Sequence, residues 1–284
     1  MTWKPLNAFR RQSAFTLIEL LVVIAILGIV AALAVPALKN LKQADAIAAA
    51  TRQMQDELAR ARQFAISRRT TVYLVFVPLN FWDDGGYAPN QTAYNALTPT
   101  DRAVADRLLD KQLIGYNFIS LRDVGDQPGQ NHPRYLTEWH TLPDNVFIPL
   151  FKFVPGSVTQ ILNPPPPQTT VATYYARGFA YTNNIPFPTV DATPGPNGYV
   201  WLPYVAFNHL GQLVAGDGTV LENEVIPLAR GRVVEPLDVN KKPYKAQPQF
   251  TEIPPGNSTN ALTLLVVDGL TGRAHVEHQQ ITGP

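Results

Sequence analysis

The apolar positions of this chain fall into three successive patterns. From Leu20 to Leu38 nineteen residues carry no charge. At about 1.5 Å per helical residue, that run approaches the thickness of a bilayer core. Beyond Leu38 the pattern turns amphipathic. Leu41, Ala44, Ile47, Thr51, Met54, Leu58, Ala61 and Ala65 recur at three- and four-residue steps, with Lys42, Asp45, Arg52, Gln55, Arg60 and Arg62 mostly elsewhere. No Gly or Pro interrupts residues 37–69. One long helix from Phe15 to about Arg69 is therefore predicted. Its first half suits lipid or a bundle of like helices, and its second half suits one apolar face against a globular domain. Gly28 and Pro36 are its weak points. Pro36 removes a hydrogen bond to the preceding turn, so a kink or local melting between the two is expected.

The third pattern, residues 71–284, reads as short strands between proline- and glycine-rich turns. Strands are expected at Thr71–Val77, Leu113–Ile119, Val146–Val154, Tyr199–Phe207, Gly211–Val214, Gly231–Val234, Ala261–Asp268 and Arg273–Glu277. Pro99–Lys111 is expected to form one short helix with Thr100 as its cap. The expected fold is α+β, a long N-terminal helix whose second half (39–70) packs on an antiparallel β-sheet body. Residues 79–198 read as a long, loop-rich insert in that body. They include the tract Pro164–Pro167, which favours polyproline II, and Thr193-Pro194-Gly195-Pro196.

Composition sharpens this division. Of 26 prolines only Pro5 and Pro36 precede Pro78, which separates a proline-poor start from a loop-rich body. Charge is nearly balanced at +1, so nothing points to a polyanion such as DNA. Cysteine is absent, which removes disulfide frameworks, thiolate metal sites and cysteine nucleophiles.

The residues before the apolar run, MTWKPLNAFRRQSA, hold Lys4, Arg10 and Arg11 and no acid. That asymmetry favours a cytoplasmic N-terminus and export of the remainder. An ordinary anchor or a signal peptide would share this pattern. Ala32-Leu33-Ala34 reads as an A-x-A cleavage site and Arg10-Arg11 as a twin-arginine pair. Both leave Glu19 unexplained inside the apolar segment. A carboxylate at mid-membrane costs roughly 2.5–3.5 kcal/mol on insertion scales and calls for a partner. Cleavage just before Phe15 would create an α-amine one helical turn away, able to neutralise Glu19 within the chain or from a neighbouring copy.

Ser13-Ala14-Phe15-Thr16-Leu17-Ile18-Glu19-Leu20 resembles the processing site of type IV prepilins and type II secretion pseudopilins. The resemblance implies a leader at 1–14, cleavage by prepilin peptidase between Ala14 and Phe15, and N-methylation of Phe15. It further implies that Glu19 aligns subunits during assembly, and that the stretch with Gly28 and Pro36 can unwind as subunits pack. Ala14 stands where Gly is usual. Residues 57–72 look like the helix end of the GspH/FimT group of minor pseudopilins and pilins. Ala206–Leu213 resembles that group's F-N-x-x-G hairpin, and Leu264–Ala274 its final strand, T-G-R turn and return strand. The implied protein is a non-enzymatic subunit, anchored in the inner membrane by residues 15–38 with a periplasmic body. It would join other pilin or pseudopilin subunits, at low copy number, on an assembly platform for type II secretion or a type IV pilus. The alternative is a membrane-anchored module that binds carbohydrate or DNA without polymerising.

Other chemistry is thinly supported. Arg60, Arg62, Arg68 and Arg69 form a cationic helix end that could meet DNA, but such residues commonly complement the helix dipole. His275 and His278, three apart on a strand, point to opposite faces and make a poor metal pair. Asp217-Gly218-Thr219 with Glu222 and Glu224 could hold calcium, yet lacks the EF-hand spacing and reads first as a hairpin turn. Trp82, Tyr87, Tyr94, Trp139, Tyr174 and Tyr175 are divided between core filling and contacts to sugars or secreted cargo. Neither G-x-S-x-G nor a Walker loop is present, and no enzyme or cofactor is expected.

Overall fold

The structure, a computed structural model, describes residues 17–84, 89–122, 125–127, 132–163, 172–187, 198–260 and 263–278. Side chains 33–45 are outside the description. Two compact units are present, residues 1–44 and 45–284. In chain order the elements are α1 (Leu17–Arg68), β1 (Val72–Phe76), α2 (Asn90–Asn95), α3 (Pro99–Ala105), β2 (Gly115–Ser120), β3 (Arg134–Tyr135), β4 (His140–Thr141) and β5 (Val146–Phe147). They continue with β6 (Val158–Asn163), β7 (Ala172–Arg177), β8 (Ala180–Pro186), β9 (Tyr199–Phe207), β10 (Leu213–Val214), β11 (Asn223–Val234), β12 (Gln249–Glu252), α4 (Asn257–Asn260), β13 (Thr263–Asp268) and β14 (Ala274–His278). The chain is thus α+β with antiparallel sheets.

The first sheet runs β10-β9-β1-β2-β3, with β4 also on β2 and β8 on β9. The second runs β12-β11-β13-β14, with β5 on β11, and β6 pairs with β7 as a separate hairpin. Ala50, Met54, Leu58, Ala61 and Ala65 of α1 are fully buried with Leu74, Phe76, Phe118, Phe207, Ile226 and Leu265 from both sheets. The stripe read from periodicity is therefore the core face, with Ala50 added to it. Leu41 and Ala44 lie outside the described side chains. Alanine at three of the five positions lets the helix backbone approach closely, while Met54 and Leu58 fill the remaining space. Burying each of those two contributes roughly 1.5–3 kcal/mol. Gln53 adds direction, its amide nitrogen donating to the Tyr116 hydroxyl at 2.6 Å and the Thr141 carbonyl at 2.8 Å.

The alternation of Thr71–Val77 predicts one buried face, yet every residue of β1 is buried. Tyr73, Val75 and Val77 belong to a second core, closed by Ala93 and Tyr94 of α2 and by Ala105, Leu108 and Leu109. Residues 79–198 therefore do more than decorate the body. They supply the cover of this second core as well as β2, β5 and β8, each paired to a strand outside the range.

Several expected boundaries change. The helix at Pro99 is α-helical only to Ala105 and continues as a 3₁₀ turn over Asp106–Lys111. Its cap is Thr98, whose hydroxyl accepts from the Asp101 N–H at 3.2 Å, rather than Thr100. Val146–Val154 is a strand only at β5, because Pro149 opens a 3₁₀ turn at Leu150–Phe153. Gly231–Val234 is the end of the twelve-residue β11, whose first half holds Pro227 and a polar start. The hairpin β6–β7 was unforeseen, since the prolines around it read as loop. Pro164–Pro167 and Thr193–Pro196 lie outside the described residues.

Packing of residues 46–65 on the sheets makes the body independent of the apolar run. A chain starting at Lys39 is expected to be soluble, folded and monomeric. Circular dichroism should show helix and sheet together, and light scattering a mass near one chain. Regular filaments from this shortened chain would overturn the expectation.

Candidate functional site

The sequence places its principal site at the start of α1. Ala14 and Phe15, with the whole leader, lie outside the described residues. Glu19 occupies the first turn of α1 and is exposed. A carboxylate suits that end of the helix, where unpaired N–H groups carry partial positive charge. Around it Leu17 is 82% exposed and Ile18 71%, and Leu20–Ile24, Ile26, Leu27, Ile29 and Val30 are also open. A continuous apolar surface of this kind requires lipid or protein cover. Among the described residues no helix is long and apolar enough to cross a membrane. The described side chains of this run stop at Ala32, short of the expected span's end at Leu38. Gly28 and Pro36 both lie in helical backbone. A side chain added at Gly28 would meet nothing within 4 Å.

At the other end of α1 the structure joins two motifs that the sequence leaves far apart. Arg62 Nε donates to the carbonyls of Thr271 at 2.8 Å and Gly211 at 3.3 Å. Gly211 belongs to the F-N-x-x-G loop, where Asn208 Oδ1 accepts from the Leu210 and Gln212 N–H groups at 3.0 and 2.9 Å. Thr271 belongs to the T-G-R turn, where Asp268 Oδ1 accepts from the Thr271 N–H and hydroxyl, each at 2.7 Å. Those bonds, the hydroxyl's first, hold the Asp268 carboxyl below its ordinary pKa. Gly272 has φ +62°, and a Cβ there would stand 2.1 Å from the Gly211 carbonyl oxygen. Glycine is required by conformation and by space alike.

The remaining arginines also have local work. The Arg60 guanidinium lies 5.3 Å from the Phe64 ring centroid and 5.7 Å from that of Phe118, and Arg68 lies 5.9 Å from Phe64. Arg69 takes φ +52° where the helix ends. Arg60, Arg62 and Arg68 therefore each make contacts near the end of the helix.

The acidic cluster is likewise dispersed. Asp217 Oδ1 accepts from the Thr219 N–H at 2.9 Å, and Thr219's backbone and hydroxyl hold the Asp217 carboxyl below the usual carboxylate range. Glu224 turns instead to Lys152, a fully buried residue that sequence reading missed. The Lys152 ammonium donates to Glu224 and, at 2.6 Å, to the Arg177 carbonyl, and lies 4.4 Å from the Phe179 ring centroid. Burial pushes its pKa down, opposed by the Glu224 charge. The only signal was a single cation inside Leu150-Phe151-Lys152-Phe153-Val154.

His275 Nε2 lies 3.2 Å from Glu277 Oε1 on one face of β14. The His278 side chain lies outside the description. Among the described residues no group of three or more His, Cys, Asp or Glu is arranged to hold a metal. Of the aromatics, Tyr94 is core, Trp82 and Trp139 are half-buried, and Tyr175 is exposed. Tyr87 and the Tyr174 side chain fall outside the description.

Comparison with known families matches residues 9–35 to the prokaryotic N-terminal methylation motif. The match supports the type IV pilin/pseudopilin superfamily and processing by prepilin peptidase, and it indicates a structural subunit. The α+β architecture with its N-terminal helix is compatible with a pilin-like fold. Searches of curated proteins and of solved structures found no match.

The buried pair supplies a thermodynamic test. Glu224→Ala leaves an uncompensated buried ammonium and should cost about 3–5 kcal/mol in urea unfolding. Adding Lys152→Met should restore much of that loss, because the charge that needed a partner is gone. A double variant as unstable as the sum of the two single ones would contradict the coupling.

Proposed function

We propose that the chain is a minor pilin or pseudopilin of the GspH/FimT type. It is cut between Ala14 and Phe15, methylated at the new N-terminus and assembled into a periplasmic pseudopilus or a pilus. The observation that carries the reading is Glu19, a carboxylate in the first turn of an apolar helix whose start matches the methylation motif. In lipid that charge requires neutralisation. The α-ammonium of Phe15, on its own chain or on a neighbouring subunit, is the cation the cleavage would create. Residues 15–38 then anchor the precursor in the inner membrane and pack against like helices after assembly. The paired loops at Arg62 favour the GspH/FimT assignment, because the two hairpins that resemble that group meet at one helix residue.

Two measurements test this. Intact mass spectrometry of the membrane-extracted protein should give a chain beginning at N-methyl-Phe15. That chain retains 20 basic and 22 acidic residues, having lost Lys4, Arg10 and Arg11. A chain beginning at Val35 would make residues 1–34 a signal peptide and end the pilin reading. Glu19→Ala should enter the membrane at least as well as the parent and be missing from sheared filaments. Incorporation at the parental level would deny Glu19 an assembly role.

A further inference from the structure

The body contains a cavity of about 580 Å³ that neither the anchor nor the assembly reading uses. It lies between the 3₁₀ turn after α3, strand β2 and the segment following β3, and its volume is within the range of small-molecule sites, about 300–1,000 Å³. Its lining includes Arg107, Asn117, Tyr135, Thr137, Glu138 and Trp139.

Asn117 is the informative residue. It is only 1% exposed. Its side-chain oxygen accepts from the Phe118 N–H at 2.7 Å and from the Thr137 hydroxyl at 2.6 Å. The Phe118 N–H can only donate, which settles which end of the amide is oxygen. The amide nitrogen, with two hydrogens to give, has no protein acceptor among the described residues, in a side chain that lines the cavity. A donor that opens on the cavity rather than on the protein is available to an acceptor from outside the chain.

The surroundings define that visitor. Trp139 and Tyr135 stand with ring centroids 5.8 Å apart. The Tyr135 hydroxyl is committed to the Pro186 carbonyl at 2.7 Å, so its ring serves as an apolar wall. Arg107 and Glu138 are exposed and make no ion pair with each other or with any other described residue, which leaves one strong donor and one strong acceptor at the site. Lys111 adds no second free cation, since its ammonium donates to Asp110 at 2.7 Å and to the Arg107 carbonyl at 3.1 Å. An anionic ligand would face Glu138 uncompensated, and a purely apolar one would leave Asn117 and both charges unmet. A neutral polyol with an apolar ring face satisfies every group, its C–H face on the aromatic wall and its hydroxyls both giving and accepting hydrogen bonds. We propose that this cavity binds a neutral saccharide of one or two pyranose units, oriented by Asn117, Arg107 and Glu138 and stacked on Trp139. Binding there needs neither cleavage at Phe15 nor assembly.

The test uses the full chain in a zwitterionic detergent without a sugar headgroup. Cellobiose, maltose and N,N′-diacetylchitobiose are each examined by saturation-transfer NMR. Transfer to at least one disaccharide is expected, with affinity lowered about tenfold or more by Trp139→Ala and by Glu138→Gln. Glu138 is exposed and makes no hydrogen bond within the described protein, so its variant keeps the fold and guards against misreading an unfolded Trp139→Ala. Glu19→Ala should bind as the parent does. Absence of transfer to all three sugars, or transfer undiminished in both cavity variants, would overturn the proposal.

Discussion

The body depends on one surface, the stripe from Ala50 to Ala65 on α1. Both sheets place buried side chains in one core with its five fully buried residues. Small residues there set the distance between helix and strands. The fit is then exact enough that two loops can be fastened to the helix by a single side chain. Arg62 reaches the Thr271 and Gly211 carbonyls because glycine at 272 lets the two loops come into contact and glycine at 211 leaves room for Arg62 and Ile66 of the helix. A larger residue at 272 would part the loops and leave the guanidinium with fewer acceptors.

A second constraint is polar. Lys152 is fully buried, so its charge is tolerated through Glu224, the Arg177 carbonyl and the Phe179 ring. The three partners come from β11, from the end of β7 and from the segment leading to β8. The ammonium thus ties the β6–β7 hairpin to the second sheet. Desolvation makes this pair a poor source of net stability and a strong source of specificity, since any other arrangement buries a charge alone.

The apolar surface from Leu17 to Val30 obeys a different rule. Its large side chains lie exposed among the described residues, and its one carboxylate sits in the first turn, where the helix end favours negative charge. Such a segment is stable only with cover from lipid or from further helices. The stripe at Ala50–Ala65, by contrast, is satisfied within its own chain. The two halves of α1 therefore meet the same demand for burial through different partners.

These differences decide how much could be read in advance. The apolar run, the misplaced Glu19 and the 3.6-residue stripe depend on neighbours along the chain, and each was legible from spacing. So were β1, β9 and β13, whose β-branched and aromatic runs leave little alternative. The strand over Asn223–Leu228 was not legible, because Pro227 and a polar start argue against a strand until β13 supplies its partner. Lys152 drew no notice in the sequence and Thr100 read as a natural cap, while tertiary contacts buried the first and the cap fell at Thr98. Asn117 carries no local mark at all. Its place at the cavity exists only because β2, Thr137 and the 3₁₀ turn after α3 are brought together from three places in the sequence. Periodicity along the chain records which face a helix must bury; which polar atom faces a cavity is decided by packing between distant segments.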